Sequence, residues 1–407
     1  MRLLIGLTIL VTLALLASSQ RFYRWRRTRL GAALTTGGWL MVAIGFAVGP
    51  FGANFVLPEQ LLEVEPLILF CLGWIGLMVG LQAHRTLPRA VPGSVFALTG
   101  IDMLLSVLVL SATTLAILAV FDVAIMSALP VALLMGVFGA GWSAEVRSLQ
   151  RRVHDADHVM PVIRAAAGIS SLAAVAVYGL LFKSFSIDML DGITWSAWDM
   201  TLGVMISLGV GMTMGLMGKW LMSLAGRSEG EFLVVLLGLV TLTAGAAATL
   251  GYSPLLVAAL AGAIIVNFTG KPLQRFQRVI IEAEQPVAMA LMLVAGVLAD
   301  PRLSPQAVSL MLALVIMRGI VKLIDQRIIR RQMKIQHNPP ALVGLIRQNP
   351  LAIAMAVGYA IAPLGRSELT PLSGGQVVMI VVMIGVMAEA FAFLQHGSHE
   401  QPEDMTP

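Results

Sequence analysis

Among the charged residues within otherwise apolar stretches, Asp102, Arg318, Lys322, Arg347 and Glu389 invite chemistry. A charge inside a bilayer costs roughly 2.5–3.5 kcal/mol on insertion scales, so each one needs a partner or a task. Counting ~1.5 Å of helix rise per residue from the cytoplasmic end of each stretch places Asp102 about 13 Å deep, Arg318 about 10 Å, and Arg347 and Glu389 about 9 Å. Asp102 and Arg318 are therefore expected as partners. They form either a static ion pair or a carboxylate that takes up and releases a proton or small cation beside a guanidinium. Arg347 and Glu389 make a candidate structural pair. Lys322 lies one turn from Arg318 on the same helix face and is expected to snorkel to the interface, unless it joins a structural ion pair.

Other chemistry finds little support. The segment His154-Asp155-Ala156-Asp157-His158 has ligand types suited to a divalent metal, but it falls in a short polar loop without further ligands, so no metal site is expected. No nucleophile–base arrangement, P-loop or dinucleotide fingerprint occurs, so neither an enzyme nor a bound cofactor is expected. The lone Cys71 excludes an intramolecular disulfide.

Thirteen apolar stretches carry these residues: 3–19, 31–50, 63–81, 93–119, 124–146, 160–183, 199–223, 232–250, 254–268, 284–299, 304–325, 341–362 and 374–395. With 58% hydrophobic and 12% charged residues, the composition is that of a polytopic all-α membrane protein and not of an ordinary soluble domain. Basic residues gather in alternate loops, from Arg21–Arg29 through Arg147–Arg152 to Arg327–Lys334, while the loops between hold Glu59, Glu63, Glu65, Asp188 and Asp191. The positive-inside rule then puts the N-terminus outside and the C-terminus in the cytoplasm of an inner or plasma membrane. The net charge of +5 follows from those loops and implies no nucleic-acid partner. The Arg-rich flank of the first stretch marks a retained helix in preference to a cleaved signal peptide. Residues 1–395 read as one transmembrane domain, and 396–407 as a disordered cytoplasmic tail.

Five-span units at about 31–183 and 254–395, linked by spans within 199–250, overlay with an offset of seven spans, which makes them inverted repeats. The fourth member of each unit is interrupted, by Gly136, Gly139 and Gly141 ahead of Trp142 in one and by Gln348-Asn349-Pro350 in the other. Glycine and proline weaken the intrahelical ladder, and unwound backbone at membrane depth is tolerated where it lines a cavity or is buried in protein. The two breaks, Gly139–Trp142 and Gln348–Pro350, are expected to cross and to frame a substrate site.

Several segments resemble the monovalent cation:proton antiporter superfamily. GGWLMVAIGFAVGPFGANFVLPEQL, followed by LILFCLGWIGLMVGLQAHRTL, is similar to its glycine-rich opening. LGYSPLLVAALAGAIIVNFTGKPLQRF and MALMLVAGVLADPRL, then LVIMRGIVKLI, resemble its second half in order. The resemblance implies a thirteen-helix bundle with a core of crossed, unwound helices beside a dimerising panel, and hence a homodimer. Where the family places one or two acids in the sixth span, this chain has Ser170 and Ser171 in AAAGISSLAAVAVY. Serine does not exchange protons at physiological pH, so the resemblance bears more on fold than on activity.

The expected function is exchange of a monovalent cation, Na⁺ or K⁺, for protons by alternating access. Asp102 opposed by Arg318 would be the coupling carboxylate, with Ser170, Ser171 and Asn349 as neutral ligands. A transport-inactive membrane scaffold or sensor, and an anion exchanger using Arg318 and Arg347 as a clamp, remain as alternatives.

Overall fold

The computed structural model describes residues 38–397, apart from 57–59, 61–62, 84–92, 142–158, 183–196, 225–228, 269–272, 333–347, 364 and 366–369. The described residues form twelve helices and no strand. In order these are α1 (Trp39–Val48), α2 (Glu65–Leu81), α3 (Gly93–Val120), α4 (Ile125–Ala140), α5 (Val159–Phe182) and α6 (Ala197–Leu224). They continue with α7 (Glu229–Thr249), α8 (Pro254–Phe268), α9 (Leu273–Leu298), α10 (Pro305–Gln332), α11 (Pro350–Ile361) and α12 (Gly374–Gly397). They correspond to the second through thirteenth apolar stretches; the first, 3–19, lies outside the described residues. Continuous segments long and apolar enough to cross a bilayer run over Thr99–Val120, Thr201–Ser223, Pro305–Ile328 and Gly374–Ala392.

Two helices outrun their apolar stretches. α9 starts at Leu273 and not near residue 284, and α10 continues past residue 325 to Gln332. Both extensions are rich in Gln and Arg, helix formers that hydropathy alone ends too soon.

Local sequence sets the helix ends. In the Gly251-Tyr252-Ser253-Pro254 turn, Gly251 takes φ 71°, a left-handed conformation that closes α7 without a Cβ penalty. Ser253 Oγ then accepts from the Leu256 N–H at 3.4 Å, and Pro254 occupies the first helical position, where no N–H is needed. At α12, Ser373 and Gln376 form a reciprocal capping box, each side chain accepting from the other's backbone N–H at 3.3 Å.

The helix contacts come in similar sets. α2 packs on α8 as α9 packs on α1; α3 and α4 meet α5 as α10 and α11 meet α12; α3 meets α10 and α4 meets α11 across the centre. Two of these crossings are glycine-made. A Cβ on Gly76 or Gly80 of α2 would overlap the backbone of Leu255 or Ala259 in α8, and one on Gly262 would overlap Leu77. In the matching pair, a Cβ on Gly45 would overlap Leu293, and one on Gly296 would overlap Val42. The sequence offset that carries Asp102 onto Arg318 also carries Ser106 onto Lys322 and Gly80 onto Gly296, and to within one residue Gly45 onto Gly262.

The contacts sort the helices into two groups, α1, α2, α6, α7, α8 and α9 in one and α3, α4, α5, α10, α11 and α12 in the other. α6 and α7 turn Met205, Met212, Trp220 and Val234 outward, an apolar exterior suited to lipid.

Candidate functional site

The site is built on the C-terminal end of α4. That helix stops at Ala140, and Gly141 is extended (φ −65°, ψ 139°). The last carbonyls of a helix have no intrahelical donors, and the aligned peptide dipoles leave partial negative charge there. α10 supplies what is missing. Arg318 Nε donates to the Gly139 carbonyl at 3.1 Å, and Lys322 Nζ donates to the Ala140 carbonyl at 3.1 Å.

Lys322 also donates to Asp102 Oδ1 at 2.8 Å and to Ser106 Oγ at 3.1 Å, so all three of its N–H bonds are used. Asp102 and Ser106 are one turn apart on α3, and Arg318 and Lys322 one turn apart on α10, so two helical faces meet with matched polar groups. The lysine is 0% exposed and Asp102 is 3% exposed. This geometry departs twice from what the sequence leads one to expect. Lys322 does not snorkel; its ammonium turns inward because three acceptors converge there. The contact partner of Asp102 is Lys322, while Arg318 acts on Asp102 through its charge and gives its hydrogen bond to α4. Depth counting put Arg318 level with Asp102, but the crossing of α3 and α10 brings the next turn into contact.

On the other side of the break, Asn349 is extended (φ −70°, ψ 132°) and caps α11, its Oδ1 accepting from the Leu351 N–H at 3.0 Å, with Pro350 at the first helical position. Asn349 Nδ2 donates to Ser171 Oγ at 2.9 Å. The Ser171 and Ser170 hydroxyls both donate to the Ala167 carbonyl, at 2.8 and 3.1 Å. A Cβ on Gly141 would lie 3.5 Å from Asn349 Cβ, so the two breaks face each other and join the serine–asparagine group to the charged group. Gln348 is buried at the same break, and neither atom of its side-chain amide has a hydrogen-bond partner among the described residues. Trp142 and Arg347 lie outside the described residues. Glu389 is half-buried on α12, so its pairing with Arg347 is not described.

Asp325 escaped the sequence reading. It is 3% exposed, and its Oδ2 lies 3.8 Å from Lys322 Nζ. The apolar stretch 304–325 ends on it. The available signal was the spacing Arg318, Lys322, Asp325, which puts three charges on one face of a continuous helix.

Replacing Asn349 tests the local geometry. Asn349→Ala removes the α11 cap and the tie to Ser171, and should cost about 1 kcal/mol of stability, read as a lowered thermal midpoint in detergent. Asn349→Asp, which keeps the cap, should recover most of it; an unchanged midpoint in the alanine variant would contradict the cap.

No protein-family model matches the chain, and no curated protein sequence matches it. Its fold is similar to that of the sodium/proton antiporter MjNhaP1 from Methanocaldococcus jannaschii, with a TM-score of 0.62 and 14% identity over 91% of this chain and 98% of that one. The chain thus has this antiporter fold over nearly its whole length, in agreement at the level of fold with the resemblance read from its segments.

Proposed function

We propose that the chain is a secondary active transporter that exchanges a monovalent cation for protons across the inner or plasma membrane by alternating access. The observation that carries this reading is the buried Asp102–Lys322 contact at the end of an interrupted helix. A carboxylate there is held by an ammonium that a bound cation, or a proton on the carboxylate, can release. Competition of cation and proton for Asp102 gives the coupling. Ser170, Ser171, Asn349 and the carbonyls at the two breaks are neutral oxygen ligands for the cation, with Arg318 fixing the end of α4. The antiporter fold supports the same reading. In this assignment the N-terminus is outside and the C-terminus cytoplasmic, units 31–183 and 254–395 are the repeats, and the protein works in the bilayer as a homodimer.

Everted vesicles carrying a pH dye test the proposal, with Na⁺, K⁺ and Li⁺ added in turn. The unmodified protein should show cation-dependent proton flux, and Asp102→Asn should abolish it while leaving folded protein in the membrane. Flux that survives Asp102→Asn with normal rate and pH dependence makes Asp102 a structural partner of Lys322 only. No cation-dependent flux in the unmodified protein defeats exchange and leaves the scaffold and anion-exchange roles.

A further inference from the structure

The charged cluster contains a second acid that the exchange reading does not use. Asp102 from α3 and Asp325 from α10 approach the same Lys322 ammonium, one at 2.8 Å and the other at 3.8 Å, the second too long for a hydrogen bond. The two carboxyl groups thus converge on one ammonium from two helices. Asp102 Oδ2 and Asp325 Oδ2 are both buried, and neither has a hydrogen-bond donor among the described residues. Buried acceptors without a donor are rare in folded proteins, and two carboxylates drawn to one ammonium have no donor to offer each other unless one of them is protonated. A single proton held between the groups satisfies both acids, and it removes one of two like charges that share one ammonium.

We propose that Asp102 and Asp325 hold one proton between them, and that Asp325 is a second proton carrier of the exchange site. Asp325 lies seven residues beyond Arg318 on the same helical face, nearer the C-terminal end of α10, whereas Asp102 meets the end of α4 through Lys322. A hydronium ion gives its proton to an Asp325 oxygen and departs as water. That O–H bond then breaks as an Asp102 oxygen takes the proton, and no electron changes hands. When a cation occupies Asp102, the proton leaves by the reverse route. Among the described residues, the charged groups acting on Asp325 are Asp102 and Lys322, while Arg318 acts on Asp102; α12, which also packs on α10, carries Glu389. The transport role rests on the exchange reading, whereas the position of the proton does not.

Two measurements on the full chain separate these parts. Infrared difference spectra between acid and alkaline pH should show a protonated-carboxyl C=O band that both Asp102→Asn and Asp325→Asn remove. A band that is absent, or that survives either substitution, overturns the shared proton. In everted vesicles, Asp325→Asn should slow exchange by about tenfold or more. The pH midpoint of the remaining activity should move to lower pH by about one unit, because the second negative charge beside Asp102 has gone. Asp325→Glu should restore both rate and midpoint, an outcome that a packing role for Asp325 does not give. Exchange with unchanged rate and pH profile in Asp325→Asn overturns its role as a carrier. If the infrared band behaves as expected but the unmodified protein exchanges nothing, the exchange reading fails and the shared proton stands.

Discussion

Lys322→Met is expected to lower the stability of the folded protein by about 3–5 kcal/mol, and adding Asp102→Asn should recover most of that loss. The single substitution leaves Asp102 with a buried charge and no ammonium, and it strips the Ala140 carbonyl and Ser106 of their shared donor. Uncompensated buried charge costs far more than a neutral replacement of the whole pair. A double-substitution cycle on the thermal midpoint in detergent measures the coupling directly. Additive effects of the two substitutions would mean that Lys322 and Asp102 do not act as a pair.

Gly80→Val should prevent recovery of monodisperse protein from detergent extracts. The added Cβ meets the carbonyl of Ala259, which is backbone and cannot turn aside as a flexible side chain would. Overpacking against movable side chains costs about 1–3 kcal/mol, and a clash of backbone with backbone at a main crossing should exceed that. Gly296→Val, at the matching crossing of α9 with α1, should behave alike. Gly245→Ala in α7, where an added Cβ meets nothing within 4 Å, serves as the tolerated control. Normal yield of Gly80→Val would show that α2 and α8 are not held at this separation.

The elements were legible in the sequence where the physics is one-dimensional. Apolar stretches mark helices because a buried or lipid-facing helix needs nothing else, and the breaks announce themselves through Gly139, Gly141 and Pro350. The charges Asp102 and Arg318 stood out for the same reason. What the sequence hides is crossing geometry. Depth along separate helices does not say which turn of α10 meets Asp102, so the sequence favours Arg318 over Lys322 as its partner. Asp325 is hidden because hydropathy ends at this charge while the helix runs on to Gln332. The close approach of α2 and α8 left a trace in Gly76 and Gly80, four residues apart, a spacing that lets helix backbones touch. Ser171 and Asn349, 178 residues apart, meet only because α5 and α11 pack together.

The paired grip of Arg318 and Lys322 on Gly139 and Ala140 carries a consequence for local opening. Separating α4 from α10 would at once expose two carbonyls, a guanidinium and an ammonium, and would release the tie to α3 through Asp102. No part of that joint can fray alone, since each group's partner would be stranded in apolar surroundings. The three helix segments therefore form one cooperative unit, whose amides exchange with solvent together or not at all. Any slower, piecewise breathing of the molecule is left to the seams between the two helix groups, where apolar contacts can slip past one another.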